Sequence, residues 1–295
     1  MELKNSPKIS IVTPSFNQGQ YLEQTIESVI SQNYPNLEYI IIDGGSTDGS
    51  VEIIKKYEKH LKFWVSEPDE GQANAINKGL EHCTGEIFNW LNSDDYLAEG
   101  ALLKIAEGFR RGADLVAGNV RVFRDEETLH LTKHRNLSAK GLLYWLPGVS
   151  FVQPGVWMRR QWVEEGGGVP EMYNCSFDWA LYIQYLLHYP KVEYLDSLLV
   201  HFRYHDASKT VTLQEQFERE RQQIVESFLS SDDKPLQKLA SRYRNDRNLH
   251  ERMRQVLNSS QSKAAKSIEV LKELKPGNFH NFRVIGGALK QIVTG

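Results

Sequence analysis

Three short apolar runs, KISIVTPSF, LEYIIIDGG and EIFNWLNSDD, recur through the first hundred residues, and the segments between them have helical spacing. This alternation constrains the fold more than any other feature of the chain. Weaker runs follow the same plan at LKFWVSEPD and ADLVAGNVRVF. Between the runs lie YLEQTIESVISQ, TDGSVEIIKKYEKH, QANAINKGLEHC and GALLKIAEGFR. Their apolar residues recur at i, i+3 and i+4, as in Tyr21, Leu22, Ile26, Val29 and Ile30. Strands alternating with helices of this length predict right-handed βαβ units and an α/β fold with a Rossmann-like, mostly parallel central sheet flanked by helices. Ser46-Thr47-Asp48 suits a helix cap, and Gly79 and Gly85 suit stops and turns.

From about residue 119 the pattern changes. NVRVFRDEETLHLTK alternates as a hairpin does, and GLLYWLPGVSFVQPGVWMRR reads as helix, loop and strand. EEGGGVP is a Gly-rich loop, SFDWALYIQYLLHY a helix, and VEYLDSLLVHFRYH a strand. Beyond Thr210, LQEQFERERQQIVESFL is amphipathic. These changes divide the chain into an α/β half at 1–118, a second half of the same domain at 119–212, and a basic, mainly helical extension at 213–295.

Charge follows that division. Residues 231–295 carry 13 Lys and Arg against 6 Asp and Glu, whereas the whole chain has a net charge of −3, so the patterned part is acidic. A basic tail suits an anionic partner, and FHNFRVIGGALKQIVTG mixes aromatic, aliphatic and cationic residues. One reading is peripheral contact with the inner face of the cell membrane; the other is a solvated extension packed on its own domain or a neighbour. No motif accompanies the basic excess, which argues against nucleic acid. No apolar run approaches the roughly 20 residues that span a bilayer, and the N-terminus lacks signal-peptide architecture. Two cysteines, Cys83 and Cys175, argue against a disulfide framework and for a reducing, cytoplasmic setting.

In a parallel sheet the strand C-termini all point one way, and ligands bind in the crevice outside them. Thr13, Pro14, Ser15 and Asn17 follow the first run, and Asp43 and Gly44 follow the second. Glu67, Asp69, Glu70 and Gln72 follow the weaker run between them and the next, and Asn92, Asp94 and Asp95 follow EIFNW. At least four carboxylates thus reach one rim. Adjacent carboxylates after a buried run repel each other, and a buried unpaired charge is costly. Arg, Lys, a helix N-terminus or a metal ion would relieve them. The first turn, TPSFNQGQ, has one glycine, so the G-x-G-x-x-G dinucleotide signature is absent, as is a G-x-x-x-x-G-K-[ST] loop. A diphosphate bound here needs its charge met by other means, and a divalent cation, Mn2+ or Mg2+, on Asp94 and Asp95 would meet it. VHFRYHDASKT adds a cationic row, with His201, Arg203 and His205 on one face at strand spacing and Ser208 and Lys209 beyond.

Taken together, TPSFNQGQYLEQTIESVISQNYPNLEYIIIDGGSTDGS, SEPDEGQANAINKG and NWLNSDD resemble the N-terminal half of family 2 glycosyltransferases of the GT-A fold, over roughly residues 8–210. The resemblance implies an inverting transfer of a sugar from a nucleotide-diphosphate donor, a UDP-sugar first among them. The acceptor would be a hydroxyl of a saccharide or lipid-linked molecule, in surface polysaccharide assembly. It places Thr13, Pro14 and Asp43 at the base and ribose, Asp69 close to the base, and Asp94 near the sugar or ribose. Asp95 becomes the direct metal ligand. His205, in a motif like the family's F-R-x-H-x-x-S, becomes a metal ligand or diphosphate contact beside Arg203 and Lys209. Ser15, Asn17, Gly44, Gln72 and Asn77 complete the donor set. One departure is that many relatives have Asp-Asp-Gly-Ser after the second strand, where this chain has Gly44 in the second position.

Such a reaction passes through an oxocarbenium-like state. A Lewis acid stabilises the departing diphosphate, and a carboxylate on the opposite sugar face takes the acceptor proton. The resemblance points to Asp178 in CSFDWALYIQY as that base, with Glu171 and Asp196 as alternatives; a helix cap shared with Ser176 is the structural reading of Asp178. Trp179 suits either a sugar face or the core, and Gln153 and Pro154 match an acceptor-lining segment. Two other functions remain open at this point: a nucleotidyltransferase, and a non-catalytic relative that only binds sugar or nucleotide. The identities of sugar, base and acceptor, and the oligomeric state, are not written in residue spacing.

Overall fold

Strand β1 (Ile9–Ser15) is buried at every position because it lies between two parallel neighbours, β2 (Leu37–Asp43) and β4 (Ile87–Trp90), inside the sheet. A strand covered on both faces has no solvent side, which is why β1 and β2 read as near-continuous apolar runs. These observations come from a computed structural model that describes residues 6–206, 208–209, 213–274 and 282–294. The chain divides into two compact units, residues 1–222 and 223–295.

In the first unit β3 (Phe63–Ser66) joins β2 in parallel, and helices α1 (Gly19–Ile30), α2 (Ser50–Tyr57) and α3 (Gln72–Glu81) make the crossovers. α1 buries Leu22, Thr25, Ile26 and Val29 on one face. Gly79, which suits a stop in the sequence, lies inside α3 instead. A Cβ there would sit 2.5 Å from the side chain of Val12, so the glycine lets α3 lie directly on β1. The N-cap position of α2 is Gly49, at φ 94°, not one of Ser46-Thr47-Asp48; the Asp48 carboxylate, one residue earlier, accepts from the amides of Gly19 at 2.8 Å and Ser50 at 3.1 Å, the first residues of α1 and α2.

Beyond β4 come β5 (Tyr96–Leu97), α4 (Ala101–Arg110), β6 (Leu115–Arg124) and β7 (Glu127–Thr132). They are followed by α5 (Ala139–Tyr144), β8 (Val156–Arg159), α6 (Arg160–Glu165), α7 (Phe177–His188) and β9 (Val192–Arg203). The nine strands among the described residues run β3-β2-β1-β4-β8-β6-β9-β5, with β7 on β6. β8 is antiparallel to both β4 and β6, and β6 is parallel to β9. β6 changes partner halfway: Leu115–Ala117 pair with β8, and Val120–Arg124 pair with β7. Opposite this change the β6–β9 register shifts at Gly118 and Asn119, a bulge that bends the sheet. Gly118 is required there, since a Cβ would meet Leu199 at 2.3 Å. The bend brings the end of β9 against β5, pairing His201 with Tyr96 immediately after the Asp94-Asp95 turn.

At the opposite end of the sheet Glu38 is buried, and its carboxylate accepts from Ser10 Oγ at 2.7 Å, Thr84 N at 2.7 Å, Thr84 Oγ1 at 2.5 Å and Lys62 Nζ at 2.5 Å. Burial alone pushes this carboxyl up. The bonds from Lys62, Thr84 and Ser10 outweigh burial and hold it well below the ordinary range.

The helix Gln214–Leu229 begins in the first unit. The second unit contains the helices Lys234–Asn258, Lys263–Leu271 and Phe282–Thr294, around a core of Leu249, Met253, Val270, Ile285, Ala288 and Ile292. Asp233 and Ser262 cap the first two, accepting from Leu236 N at 3.2 Å and Ala265 N at 3.3 Å. Among the described residues no helix is long and apolar enough to cross a membrane. Ala207, Thr210 and the Phe279–His280–Asn281 portion of the tail singled out in the sequence lie outside the described residues.

Candidate active site

The Asn92–Asp95 turn at the end of β4 is held from three sides. From α1, Thr25 Oγ1 donates to the carbonyls of Ser93 at 2.9 Å and Asp95 at 2.7 Å. From α3, Gln72 Nε2 donates to Asn92 Oδ1 at 2.7 Å. From β9, the Arg203 amide donates to Asp95 Oδ1 at 2.9 Å and Arg203 Nε to the Asp94 carbonyl at 3.0 Å. The Arg203 guanidinium itself lies over the rings of Tyr21 at 4.6 Å and Phe123 at 4.7 Å, which fixes its direction.

The two carboxylates differ. Asp95 is 1% exposed, and among the described residues its Oδ2 accepts a single, long bond, from Asn92 Nδ2 at 3.3 Å. Burial, with neighbouring Asp94 adding to it, pushes the Asp95 carboxyl well up, so an added positive charge would be favourable there. The Asp94 side chain is 20% exposed, and its Oδ2 is 3.0 Å from Nε2 of His205. The turn after β4 and the segment after β9 thus bring Asp94, Asp95 and His205 near one another, donors of the kind that Mn2+ or Mg2+ can use. Among the described residues no three His, Cys, Asp or Glu side chains form a cage by themselves, so a cation bound here would take further ligands from its substrate. His201 has a different environment: it stacks on Tyr96 at 4.3 Å, and burial and Arg121 push it down to about 4.

The β1 and β2 ends form the other wall. Asp43 is fully buried, and its oxygens accept from Gly45 N at 3.2 Å, Ser46 N at 2.8 Å, Ser46 Oγ at 2.6 Å and Ser66 Oγ at 2.7 Å. It therefore shapes the Gly44–Ser46 loop. Asn17, at φ 51°, ties the β1 turn to the same loop through Ser46 Oγ at 2.7 Å and Thr47 N at 2.9 Å. Pro14 is buried within β1, and Thr13 Oγ1 meets Tyr39 Oη at 3.1 Å. Ser15 Oγ and Gln18 Oε1 are buried without a partner among the described residues, which fits a turn built to meet a polar ligand. Gly44 is closely backed: a Cβ there would lie 2.8 Å from Asp69 Oδ2. The Asp69 carboxylate thus occupies the flank of the position where many relatives carry a second Asp. Asn77 is engaged elsewhere, exchanging hydrogen bonds of 2.8 Å with the Val169 backbone and donating to Glu171 at 2.6 Å, so it clamps the Gly-rich loop to α3.

Asp178 stands in the first turn of α7, half-buried, with Oδ1 accepting from Trp179 N at 2.7 Å. Burial pushes its carboxyl up to about 6. The other candidate bases are placed differently. Asp196 is exposed and held below the usual range by Asn119 and Lys133, and Glu171 is exposed and bonded to Asn74 and Asn77. Ser176 does not cap α7 with its side chain, and its Oγ has no partner among the described residues. Trp179 is buried with Nε1 donating to the Leu142 carbonyl at 3.0 Å. Gln153 binds Asn89 Oδ1 at 2.9 Å and the Trp90 carbonyl at 3.2 Å. Lys209 donates to Asn174 Oδ1 at 2.9 Å and its carbonyl at 3.1 Å, and burial pushes its amine down.

Sequence reasoning missed Glu220. This buried carboxylate on the helix Gln214–Leu229 accepts from the backbone amides of Asn174, Cys175 and Ser176, the loop that presents α7. Thr25 was missed as well, because one threonine in an amphipathic helix carries no distinguishing mark.

The family model described as "Glycosyl transferase family 2" matches residues 10–167, more than half of the chain. An uncharacterized glycosyltransferase of Haemophilus influenzae is 43% identical over 103 residues, 34% of this chain and 41% of that protein. A putative teichuronic acid biosynthesis glycosyltransferase, TuaG of Bacillus subtilis, is 39% identical over 34% of this chain and 41% of its own length. The chain therefore matches about two fifths of the length of these relatives. Among solved structures, TarS 1–349 of S. aureus in complex with UDP-GlcNAc superposes with a TM-score of 0.65 at 15% identity, covering 97% of this chain and 88% of that one. The mannosyltransferase PcManGT of Pyrobaculum calidifontis, in complex with GDP-Man and Mn2+, gives 0.56 at 16% identity, covering 99% and 87%. These two likenesses are of fold.

Proposed function

The chain belongs to glycosyl transferase family 2, and from that premise we propose that it transfers a sugar from a nucleotide diphosphate to a hydroxyl of a saccharide or lipid-linked acceptor, with inversion, in cell-surface polysaccharide synthesis. One observation carries this reading: the turn after β4 and the segment after β9 bring Asp94 and His205 to 3.0 Å beside Asp95, while a second-half carboxylate, Asp178, stands at the start of α7 with burial pushing it up to about 6. The first set suits a diphosphate and its counter-ion; the second suits a base.

In this reading the Gly44–Ser46 loop, Asp69, Thr13, Pro14 and Ser15 receive the nucleoside, with Asp69 supplying the carboxylate that position 44 lacks. Asp94, Asp95 and His205 hold a divalent cation, which when bound supplies Lewis-acid stabilisation of the leaving diphosphate. Arg203, fixed between Tyr21 and Phe123, and Lys209 add positive charge on that side. Asp178 accepts the acceptor hydroxyl's proton as the new C–O bond forms and the bond to the diphosphate breaks. A carboxylate with a pKa near 6 is ionised at neutral pH yet a stronger base than an ordinary one. A UDP-sugar is the proposed donor. Screening UDP-, GDP- and dTDP-sugars for Mn2+-dependent nucleotide release tests this: release with one of them, lost in Asp178→Ala while nucleotide binding survives, supports transfer. Binding without release under every condition makes the chain a binding relative.

For the second unit we propose peripheral contact with an anionic membrane surface. Ile268 and Leu271 are exposed three residues apart on the helix Lys263–Leu271, with exposed Leu274 just beyond its end, among the lysines of this basic segment. Flotation of the full chain with phosphatidylglycerol vesicles, against an Ile268→Asp/Leu271→Asp variant, tests it; equal recovery with the vesicles rejects that surface.

A further inference from the structure

Trp145 follows α5 in the left-handed region, at φ 44° and ψ 56°, and is 43% exposed. The helix ends in a paired motif: Trp145 N donates to the Leu142 carbonyl at 3.3 Å, and Leu146 N to the Gly141 carbonyl at 3.1 Å. That motif favours glycine at the left-handed position, because an L side chain there crowds its own backbone. A bulky indole held in such a conformation and turned out to solvent contributes little to the core. Strain of this kind concentrates at functional sites.

Its neighbours tie it to the proposed base. The Leu142 carbonyl that accepts from Trp145 N also accepts from Trp179 Nε1 at 3.0 Å, and Trp179 directly follows Asp178. The Arg221 guanidinium lies 5.9 Å from the ring centroids of both Trp145 and Trp179. It pairs with the exposed Glu218 at 2.9 Å, a surface pair weak enough to exchange for a ligand. An aromatic face beside a guanidinium and a carboxylate offers a sugar ring an apolar surface for its C–H face, with donors and acceptors for its hydroxyls.

We propose that Trp145, Arg221 and Glu218 form an acceptor subsite for an uncharged sugar ring. The inference rests on Asp178 as the base, and it deepens that reading by naming the acceptor's chemical class. Charge decides for the neutral sugar. Glu218, Glu220 and Asp178 outnumber Arg221 and Lys209 locally, so a uronate or phosphorylated ring would meet a net negative surface.

Saturation-transfer NMR on the full chain with UDP and Mn2+ tests this, using methyl β-D-glucopyranoside and methyl β-D-glucuronide as probes. The wild type is expected to saturate the ring protons of the neutral probe at least threefold more than those of the charged one. In Trp145→Gly that signal is expected to fall at least fivefold. Glycine suits the left-handed position, so the variant's Tm is expected to hold or rise, which separates lost binding from lost folding. A neutral-probe signal that survives in Trp145→Gly, a glucuronide signal as strong as the glucoside's, or no signal from either probe in the wild type would overturn the subsite. Nucleotide release, assayed separately, reports on the transferase reading; glycoside binding at Trp145 without release would sink that reading and leave the subsite standing.

Discussion

Oε2 of Glu220 lies 2.8 Å from the amide nitrogen of Ser176, two residues ahead of Asp178. The same carboxylate accepts from Cys175 N at 2.8 Å and Asn174 N at 2.9 Å, so one buried side chain fixes three consecutive peptides. Glu220 is thereby a positioning residue for the proposed base, and its charge raises the pKa of Asp178 while Arg221 lowers it. Glu220→Gln turns an amide NH2 toward backbone donors and is expected to lower kcat by about 10–100-fold through misplacement of α7. Loss of the negative charge should also move the acid limb of the kcat/KM–pH profile to lower pH. The charged and titratable groups that act on Asp178 include Glu220, Arg221, Tyr182 and Cys175, and the last three are unchanged in this variant. A purely structural role would lower the rate without moving the limb.

Asp178 carries a cost in stability. Its carboxyl rises from 3.8 to about 6 on folding, because burial disfavours the charge. Below pH 3.8 both folded and unfolded chains hold the proton and there is no penalty; the penalty grows as pH rises through that window and is complete above 6. Asp178→Asn is therefore expected to raise Tm at pH 8 relative to pH 4, by up to about 2 kcal/mol of stability. The same variant should lose about 10²–10⁴ in kcat. Parallel thermal melts at the two pH values, with nucleotide release on the same samples, check both.

The positions where the sequence was informative share one property. β1, β2 and β4 announce themselves because burial on both faces demands local apolar runs, and strand ends follow directly from them. Asp43, Asp69, Asp94 and Asp95 were legible on that account. Glu220 was not, since its three partner amides lie more than forty residues away and backbone amides leave no trace in composition. Trp145 was hidden for a different reason. A left-handed position is written in sequence as glycine or asparagine, and here a tryptophan occupies it. Asn77 was legible only as part of the QANAINKG segment, since its backbone partners at Val169 are supplied only by the folded chain.

Glu38 offers a stability test remote from the strand-end crevice. Its carboxyl is held below the ordinary 4.5 by Lys62, Thr84 and Ser10 despite burial. A depressed carboxylate contributes stability that is present above the unfolded pKa and lost as pH falls toward the folded one. Glu38→Gln is expected to cost about 2–4 kcal/mol at pH 7, with the gap to wild type narrowing below pH 4.5. Urea denaturation at pH 7 and pH 4 reads the difference, and nucleotide affinity under native conditions should be unchanged.

Gly44 and Asp69 are expected to act as a pair. A Cβ at position 44 would stand 2.8 Å from Asp69 Oδ2, closer than such atoms approach, so Gly44→Ala must displace the Asp69 carboxylate. If Asp69 contacts the nucleoside, Gly44→Ala should weaken UDP binding about tenfold, by roughly the 1.4 kcal/mol that such a factor represents. Adding Asp69→Ala to it should then weaken binding little further, because the two changes act on one interaction. Calorimetric titration of the single and double variants measures the coupling. Full additivity would place Asp69 outside the nucleoside contact.

The Asp94–His205 pair makes the metal assignment testable by two independent routes. The 3.0 Å contact joins a turn after β4 to the segment after β9, so these side chains can meet only when the sheet bend is formed. If they share a cation, EDTA should abolish nucleotide release and Mn2+ should restore it in the wild type. In Asp94→Asn and His205→Ala the Mn2+ concentration for half-maximal activity should rise about 10–100-fold. A structural contact predicts otherwise: the variants would lose Tm while keeping the wild-type Mn2+ dependence. Thr25→Val separates the cases further, since Thr25 Oγ1 holds the Ser93 and Asp95 carbonyls and has no place among the ligands. That variant is expected to lose about 1–2 kcal/mol of stability, with a smaller change in Mn2+ response than either ligand variant. Equal shifts in Mn2+ response across all three would assign the effect to the shape of the turn, and Asp94 and His205 would no longer stand as ligands.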